Sequence, residues 1–399
     1  MHELIVRIAA RGDGVTSSGR HVRFGVPGDA LLDDGALAPG PHHQDPPCRL
    51  YPECGGCQLQ HADDGAYRDY LVSRIETALA QHGLKTQIRE PHLSPPNSRR
   101  RATLRALKVG AGVVLGFNAE KSHQIVDMSE CHILRPELFA LVAPLRKLLG
   151  GLLQPKRASE VQLTLVDDGV DVLLKGVEAA GLEAMEQLTS FASSSGLARI
   201  SLDQGMGPEP IYEPQPVSTC LSGTRVAFPV GGFLQATEDG ERALVASVRE
   251  VVDGSRATAD LFAGLGTFAL AARSSYAAEA SREASSALKR AAPMIKVEHR
   301  DLYRRPLGSE ELGRFDAVIL EPPRAGAAAQ ARALGSSAVH RIAYVSCNPA
   351  TFARDARTLA EGGYSLVWVR PVGQFRWSTH VELAACFSRD GEGTIPREP

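Results

Sequence analysis

The sequence predicts a multidomain protein: a small N-terminal β-barrel, a central α+β unit and a C-terminal doubly wound α/β sheet. Three observations carry that expectation. The chain has 399 residues, more than one hydrophobic core usually supports, so two or three domains are expected. From about residue 240, apolar strands at 259–262, 276–279, 315–320 and 342–345 alternate with helical patterns, which is the signature of a doubly wound sheet. At the other end, short apolar runs at 4–8, 21–24 and 26–28 are separated by glycine.

Within residues 3–32 these short strands suit an oligonucleotide-binding type of barrel, and equally a plain β-hairpin unit. The Pro- and His-rich stretch 39–47 reads as a linker, so the first unit spans 1–45. Tyr67, Tyr70, Leu71, Ile75, Ala78 and Leu79 then recur at helical spacing before Gly83. They predict a helix over 66–83, free to pack on the catalytic domain. Strands at 113–117, 161–165 and 170–174, with helices near 136–150 and 180–197, make 46–235 the central unit. The α/β unit covers 236–399, and its polar tail, 390–399, is expected to fray.

With 43% hydrophobic and 23% charged residues the composition is that of an ordinary globular protein, and the net charge of −2 excludes a molecule that is basic overall. A nucleic-acid site must therefore be local. The densest candidate holds Arg99, Arg100, Arg101, Arg105 and Lys108, where a strand would align alternate guanidiniums; a solvated surface strand has the same pattern. No apolar stretch reaches the roughly 18 residues of a membrane span, and the N-terminus lacks a basic region followed by an apolar one. A cytoplasmic protein with reduced thiols is expected.

Seven cysteines divide by context. Cys48, Cys54, Cys57 and Cys131 form a quartet with a Cys-x-x-Cys core, suited to a four-thiolate zinc site or an iron–sulfur cluster, and spacing leaves the metal open. Cys220 and Cys386 read as small buried hydrophobes. Cys347, in Ser346-Cys-Asn-Pro349, follows an apolar strand and is a candidate nucleophile.

The turn after the first α/β strand is Asp260-Leu-Phe-Ala-Gly-Leu-Gly266, where bare backbone can approach a nucleoside. Glu279 ends the next strand, where an acid meets ribose hydroxyls, and Asp301 follows a third strand, where an acid can face a base edge. The rigid corner Glu321-Pro-Pro-Arg324 closes the fourth strand on the same carboxyl edge. His380 and Glu382 occupy alternate positions of a last strand, so a carboxylate is available there as a base.

Together with Gly232-Phe-Leu-Gln235, these motifs resemble the bacterial RNA (uracil-C5)-methyltransferases. The cysteine spacing is similar to that of the branch that carries a [4Fe-4S] cluster and acts on 23S ribosomal RNA. The resemblance covers nearly the whole chain, residues 3–32 being similar to that branch's RNA-binding TRAM barrel. It implies S-adenosyl-L-methionine as methyl donor, contacted by Gln235, Asp260, Phe262, Gly264, Gly266, Glu279, Asp301 and Glu321. It also implies Cys347 as the nucleophile toward uracil C6 and Glu382 as the base at C5. Phe233 and Glu321 would meet the target base, and Arg99, Arg100 and Arg101 the flanking phosphates. The quartet would hold the cluster, with zinc the alternative, and RNA is the partner; no protein partner is inferred. Two departures stand out: Glu321 where the family has Asp, and Arg376 and Trp377 where it has Pro and His. Transfer RNA as acceptor, methylation of an exocyclic nitrogen and a binding protein without turnover are the rival readings.

Overall fold

In the computed structural model, residues 2–389 are described; the expectation of a frayed 390–399 falls outside them. The C-terminal sheet has nine strands. Its order runs Lys296–His299, Tyr276–Glu279, Thr258–Leu261, Ala317–Leu320, Arg341–Ser346, Glu382–Ser388, Ser365–Gly373, and the outer edge is made by Gln87–Ile88 and His92–Leu93. The first five strands are parallel and Glu382–Ser388 is antiparallel to both neighbours. Thr258–Leu261 and Ala317–Leu320 are buried at every position, as central parallel strands covered on both faces must be. Between these two the strand order reverses, and the crevice at their carboxyl ends is where such sheets bind ligands.

Residues 64–93 belong to this layer rather than to the central unit. Helix Asp64–Ala80 is capped by Asp63, whose carboxylate accepts Ala66 N–H at 2.8 Å. It buries Tyr67, Tyr70, Leu71, Ile75 and Leu79 in one core with Tyr344, Phe352 and Phe387 of the C-terminal sheet layer. Its tyrosines also tie down the last loop. Tyr67 Oη donates to Phe375 O at 3.0 Å, and Tyr70 Oη donates to Ala10 O at 3.1 Å and Thr379 O at 3.3 Å.

The central sheet has six strands in the order Pro208–Tyr212, Arg199–Asp203, Gly169–Lys175, Ser159–Val166, Arg101–Val109, Gly112–Gly116. Helices Val142–Leu152 and Leu182–Ser194 cover it, burying Leu145, Leu149 and Leu188 with Leu163, Leu174 and Ile200. The hairpin Ser218–Leu221 and Thr224–Ala227 follows. Cys220 on its first strand is exposed, which corrects the reading of a buried hydrophobe: strand alternation turns it outward while Thr219 and Leu221 are buried.

At the N-terminus, Glu3–Ile8, Gly14–Thr16, His21–Val22, Ala30–Leu31 and Leu37–Ala38 form an antiparallel sheet of five strands. Its outer strands have two residues each and do not pair with one another among the described residues, so an open sheet stands where a closed barrel is expected. Strands that short have too few ladder bonds to bend round and close.

One glycine is fixed by packing. Gly266 has φ +92°, and a Cβ there would stand 2.4 Å from Leu288 Cδ1, a side chain buried on helix Arg282–Ala291. Gly266→Ala is expected to lose about 2 kcal/mol of stability from left-handed strain and overpacking, read as a lower denaturation midpoint with S-adenosylmethionine absent.

Candidate active site

The parallel strands deliver their chemistry to one edge. Thr258–Leu261 leads into Phe262 and Gly264, Ala317–Leu320 into Glu321, Arg341–Ser346 into Cys347, and the antiparallel last strand begins there with Glu382. They line a cavity of about 1470 Å³ together with Phe233, Gln235, Glu279 and Asp301. Pockets for drug-sized ligands run to roughly 1,000 Å³, so there is room for a nucleoside-bearing cofactor and a second base.

The Gly turn is shaped for close approach. Phe262 is held at φ +66°, costly for an aromatic residue, by Phe262 N–H and Ala263 N–H donating to Ala278 O at 3.0 and 3.1 Å. Its ring lies 5.4 Å from that of Tyr303, whose Oη donates to Gly326 O at 3.1 Å. Gly264 faces open space at φ +54° and its N–H donates to Glu279 Oε2 at 2.8 Å. Asp301 Oδ1 accepts Tyr303 N–H at 2.9 Å. Tyr303 carried no signal in the sequence beyond its place two residues after Asp301.

Asp260 and Gly266 do not line the cavity. Asp260 is fully buried, and burial pushes its carboxyl up to about 8 against the pull of the Ala269 N–H. Gly266 serves packing. Both therefore act from behind the wall rather than on it.

The acids at the edge are joined by two amides. Gln235 Nε2 donates to Glu321 Oε1 at 2.6 Å, and Gln374 Nε2 donates both to Gln235 Oε1 and to Glu382 Oε2 at 2.8 Å. Burial, followed by the charges of Glu382 and Asp260, holds Glu321 well above the usual carboxylate range. Glu382 is raised mainly by burial and lowered by Gln374 and Arg101. His380 lines the cavity from the loop before the strand, not from the strand itself, which starts at Glu382.

Burial, then the charge of Glu382, pushes the Cys347 thiol up to about 11, with Arg324 pulling it down. A thiolate is therefore scarce at neutral pH. Because the thiol must lose its proton before it adds to C6, kcat/KM is expected to climb roughly tenfold per pH unit from about pH 7 to about pH 9; a flat profile would mean a thiol already ionised.

The arginines separate by alternation along the extended segment that leads into strand Arg101–Val109. Arg99 and Arg101 line the cavity, Arg101 lying 4.2 Å over the ring of the exposed Phe233 and Arg99 5.4 Å over Phe375. Arg100 points the other way, which corrects its expected place at RNA phosphates. It is buried, paired with Glu241 at 2.5 Å and donating to Gln235 O at 3.1 Å, and so fixes the loop that carries Gln235.

Cys48, Cys54, Cys57 and Cys131 line one small neighbouring cavity, which shares Gly56, Arg99 and Phe117 with the large one. Burial pushes Cys57 up to about 12, with the other three thiols adding to the rise. Among the described residues, however, no three Cys, His, Asp or Glu side chains stand close enough together to hold a metal ion. The four thiols thus share one cavity without forming a ligand set.

Comparison with known proteins gives the family. A protein of Ralstonia pickettii named 23S rRNA (uracil(1939)-C(5))-methyltransferase is 31% identical over 391 residues, covering 86% of this chain and 84% of its own. The chain belongs to the RNA uracil-C5 methyltransferase family. An uncharacterized RNA methyltransferase of Zymomonas mobilis is 48% identical over 393 residues, covering 96% of this chain and 99% of its own. The profile of the tRNA (uracil-5-)-methyltransferase family matches residues 280–390 of this uracil-C5 methyltransferase. The fold is that of the Pyrococcus abyssi tRNA (uracil-54, C5)-methyltransferase solved with S-adenosyl-L-homocysteine, at a TM-score of 0.74 and 22% identity over 97% of this chain and 99% of that one. No helix among the described residues is long and apolar enough to cross a membrane.

Proposed function

We propose that this RNA uracil-C5 methyltransferase methylates a uridine of 23S ribosomal RNA, with Cys347 as nucleophile and Glu382 as base. The observation that carries the reading is the meeting of a thiol, a buried carboxylate and a Gly-rich nucleoside turn on one cavity. The Ralstonia pickettii relative is named for a uridine of 23S rRNA, which supports the choice of acceptor.

Gln235, Phe262, Gly264, Glu279, Asp301 and Glu321 would hold S-adenosylmethionine; the open face of Gly264 and the depth of the cavity fit it. Bound there, it supplies an electrophilic methyl group. Cys347 adds to C6 of the uracil, which makes C5 nucleophilic; after C5 is methylated, Glu382 takes its proton, the C5–H electron pair reforms the C5=C6 bond and the thiolate leaves C6. The base must leave its stack to reach the thiol, and Phe233 backed by Arg101 offers a stacking platform. Arg99 and the N-terminal sheet would hold flanking phosphates.

Cys48, Cys54, Cys57 and Cys131 would hold a [4Fe-4S] cluster, with zinc the alternative, since four thiols on one cavity are the donor set either needs. Such a centre would supply a cross-link between the 48–57 loop and residue 131. The test is nucleoside mass spectrometry of unmodified ribosomal and transfer RNA after anaerobic incubation with protein and S-adenosylmethionine, with iron and sulfide counted on the same sample. The expected product is 5-methyluridine in ribosomal RNA; its appearance in transfer RNA alone would overturn the acceptor, and none in either would overturn the function.

A further inference from the structure

Gln374 is 2% exposed and sits where three elements meet. Ala236 N–H donates to its Oε1 at 2.9 Å. A backbone N–H can only donate, so this bond fixes which side of the amide is oxygen and which is nitrogen. The two N–H groups of Nε2 are thereby committed, one to Glu382 Oε2 and one to Gln235 Oε1, each at 2.8 Å. Accepting at Oε1 fixes the Gln235 amide in turn, and its Nε2 donates to Glu321 Oε1 at 2.6 Å. One backbone N–H thus sets the orientation of two amides and two carboxylates.

The arrangement has little freedom. Gly240, in the first turn of helix Glu238–Val252, lies so close that a Cβ there would stand 2.7 Å from Gln374 Cβ. The helix's own N-cap, Thr237, adjoins Ala236, so the helix start holds the donor that fixes the amide. Neither side-chain amide ionises at neutral pH, so the two amides orient the acids and carry no proton between them.

We infer that Gln374 is the positioning residue for proton removal at C5: by holding Oε2 of Glu382 it sets the rotation of the carboxylate that takes the proton. The inference rests on Glu382 being the base. In that step the C5–H bond breaks, its electron pair forms C5=C6, the Cys347–C6 bond breaks onto sulfur, and the proton ends on Glu382. A misaimed carboxylate slows this step alone. Cys347 addition and methylation at C5 precede it, so the methylated covalent adduct accumulates.

The experiment compares wild type, Gln374→Met and Gln374→Glu with Glu382→Gln as reference, using transcribed 23S ribosomal RNA and labelled S-adenosylmethionine. Methyl label in a protein–RNA band stable to denaturing detergent and label released as free 5-methyluridine RNA are both measured. Gln374→Met keeps size but donates nothing; it is expected to lower release about 100-fold, the scale of misplacing a reacting group by an ångström, while the labelled adduct rises above wild type. Gln374→Glu keeps length but loses a donor and adds a charge, and is expected to behave alike. Loss of cofactor binding, adduct and release in equal proportion in both variants would show a merely structural residue and overturn the inference, as would wild-type release. If Glu382→Gln forms no adduct, the reading of Glu382 as base fails instead.

Discussion

Cys347→Ala eliminates 5-methyluridine formation, by an expected factor of about 10⁴ or more, the scale seen when a nucleophile working as a unit with its base is removed. C5 of uracil needs the electron release that follows addition at C6, and among the described residues no other thiol lines the large cavity. The location also favours ionisation. Cys347 lies one residue before Asn348, the cap of helix Pro349–Glu361, which accepts Ala350 N–H at 3.1 Å, and helix N-termini stabilise thiolates. Burial and the acids Glu382 and Glu321 oppose it. Binding of S-adenosylmethionine, followed by equilibrium dialysis, should survive in the variant, because the residues assigned to the cofactor lie on other strand ends. Retained methylation would mean chemistry that needs no thiol.

Glu382→Gln gives a different failure. Release of product is expected to fall by roughly 10²–10⁴, the contribution of a positioned general base, yet the thiol can still add, so a methylated covalent protein–RNA complex should persist on a denaturing gel. The variant should also be more stable than wild type above about pH 5. A carboxyl raised by burial in the folded state costs stability as pH climbs from its unfolded value through its folded one, and a neutral amide avoids that loss. A rise in the thermal midpoint together with loss of release separates a lost base from a damaged fold.

Much of this site was legible before any coordinates, because strand ends of a doubly wound sheet converge. Gly264, Glu279, Glu321 and Cys347 each follow or end a strand that periodicity alone identifies, so their meeting on one edge is a property of the fold class. The rest depends on contacts between distant segments. Gln374 and Gln235 are 139 residues apart, and nothing local to either marks the pair. Arg100 has the same sequence signature as Arg99 and Arg101, yet a one-residue step along the extended segment before strand Arg101–Val109 sends it to Glu241 instead of the cavity. At the N-terminus the apolar runs 4–8 and 21–24 coincide with strands, but 26–28 does not and Gly14–Thr16, Ala30–Leu31 and Leu37–Ala38 go unmarked, since strands of two or three residues are too short to show a period. The cysteine spacing announced four thiols in one place but says nothing about their separations in space.

The edge of the catalytic sheet is borrowed from early in the chain. Thr86 Oγ1 donates to Leu366 O, 280 residues away, and Gln87–Ile88 pairs with Trp368 and Val369. On a ribosome making the chain from its N-terminus, helix Asp64–Ala80 and these strands emerge long before the sheet that buries them. They must wait with Tyr67, Leu71 and Ile75 uncovered until the last strand has left the exit tunnel. The protein thus gains its activity only once Glu382–Ser388 has been made, and a product truncated before Glu382 keeps the apolar face of that helix uncovered and lacks the carboxylate assigned to proton removal.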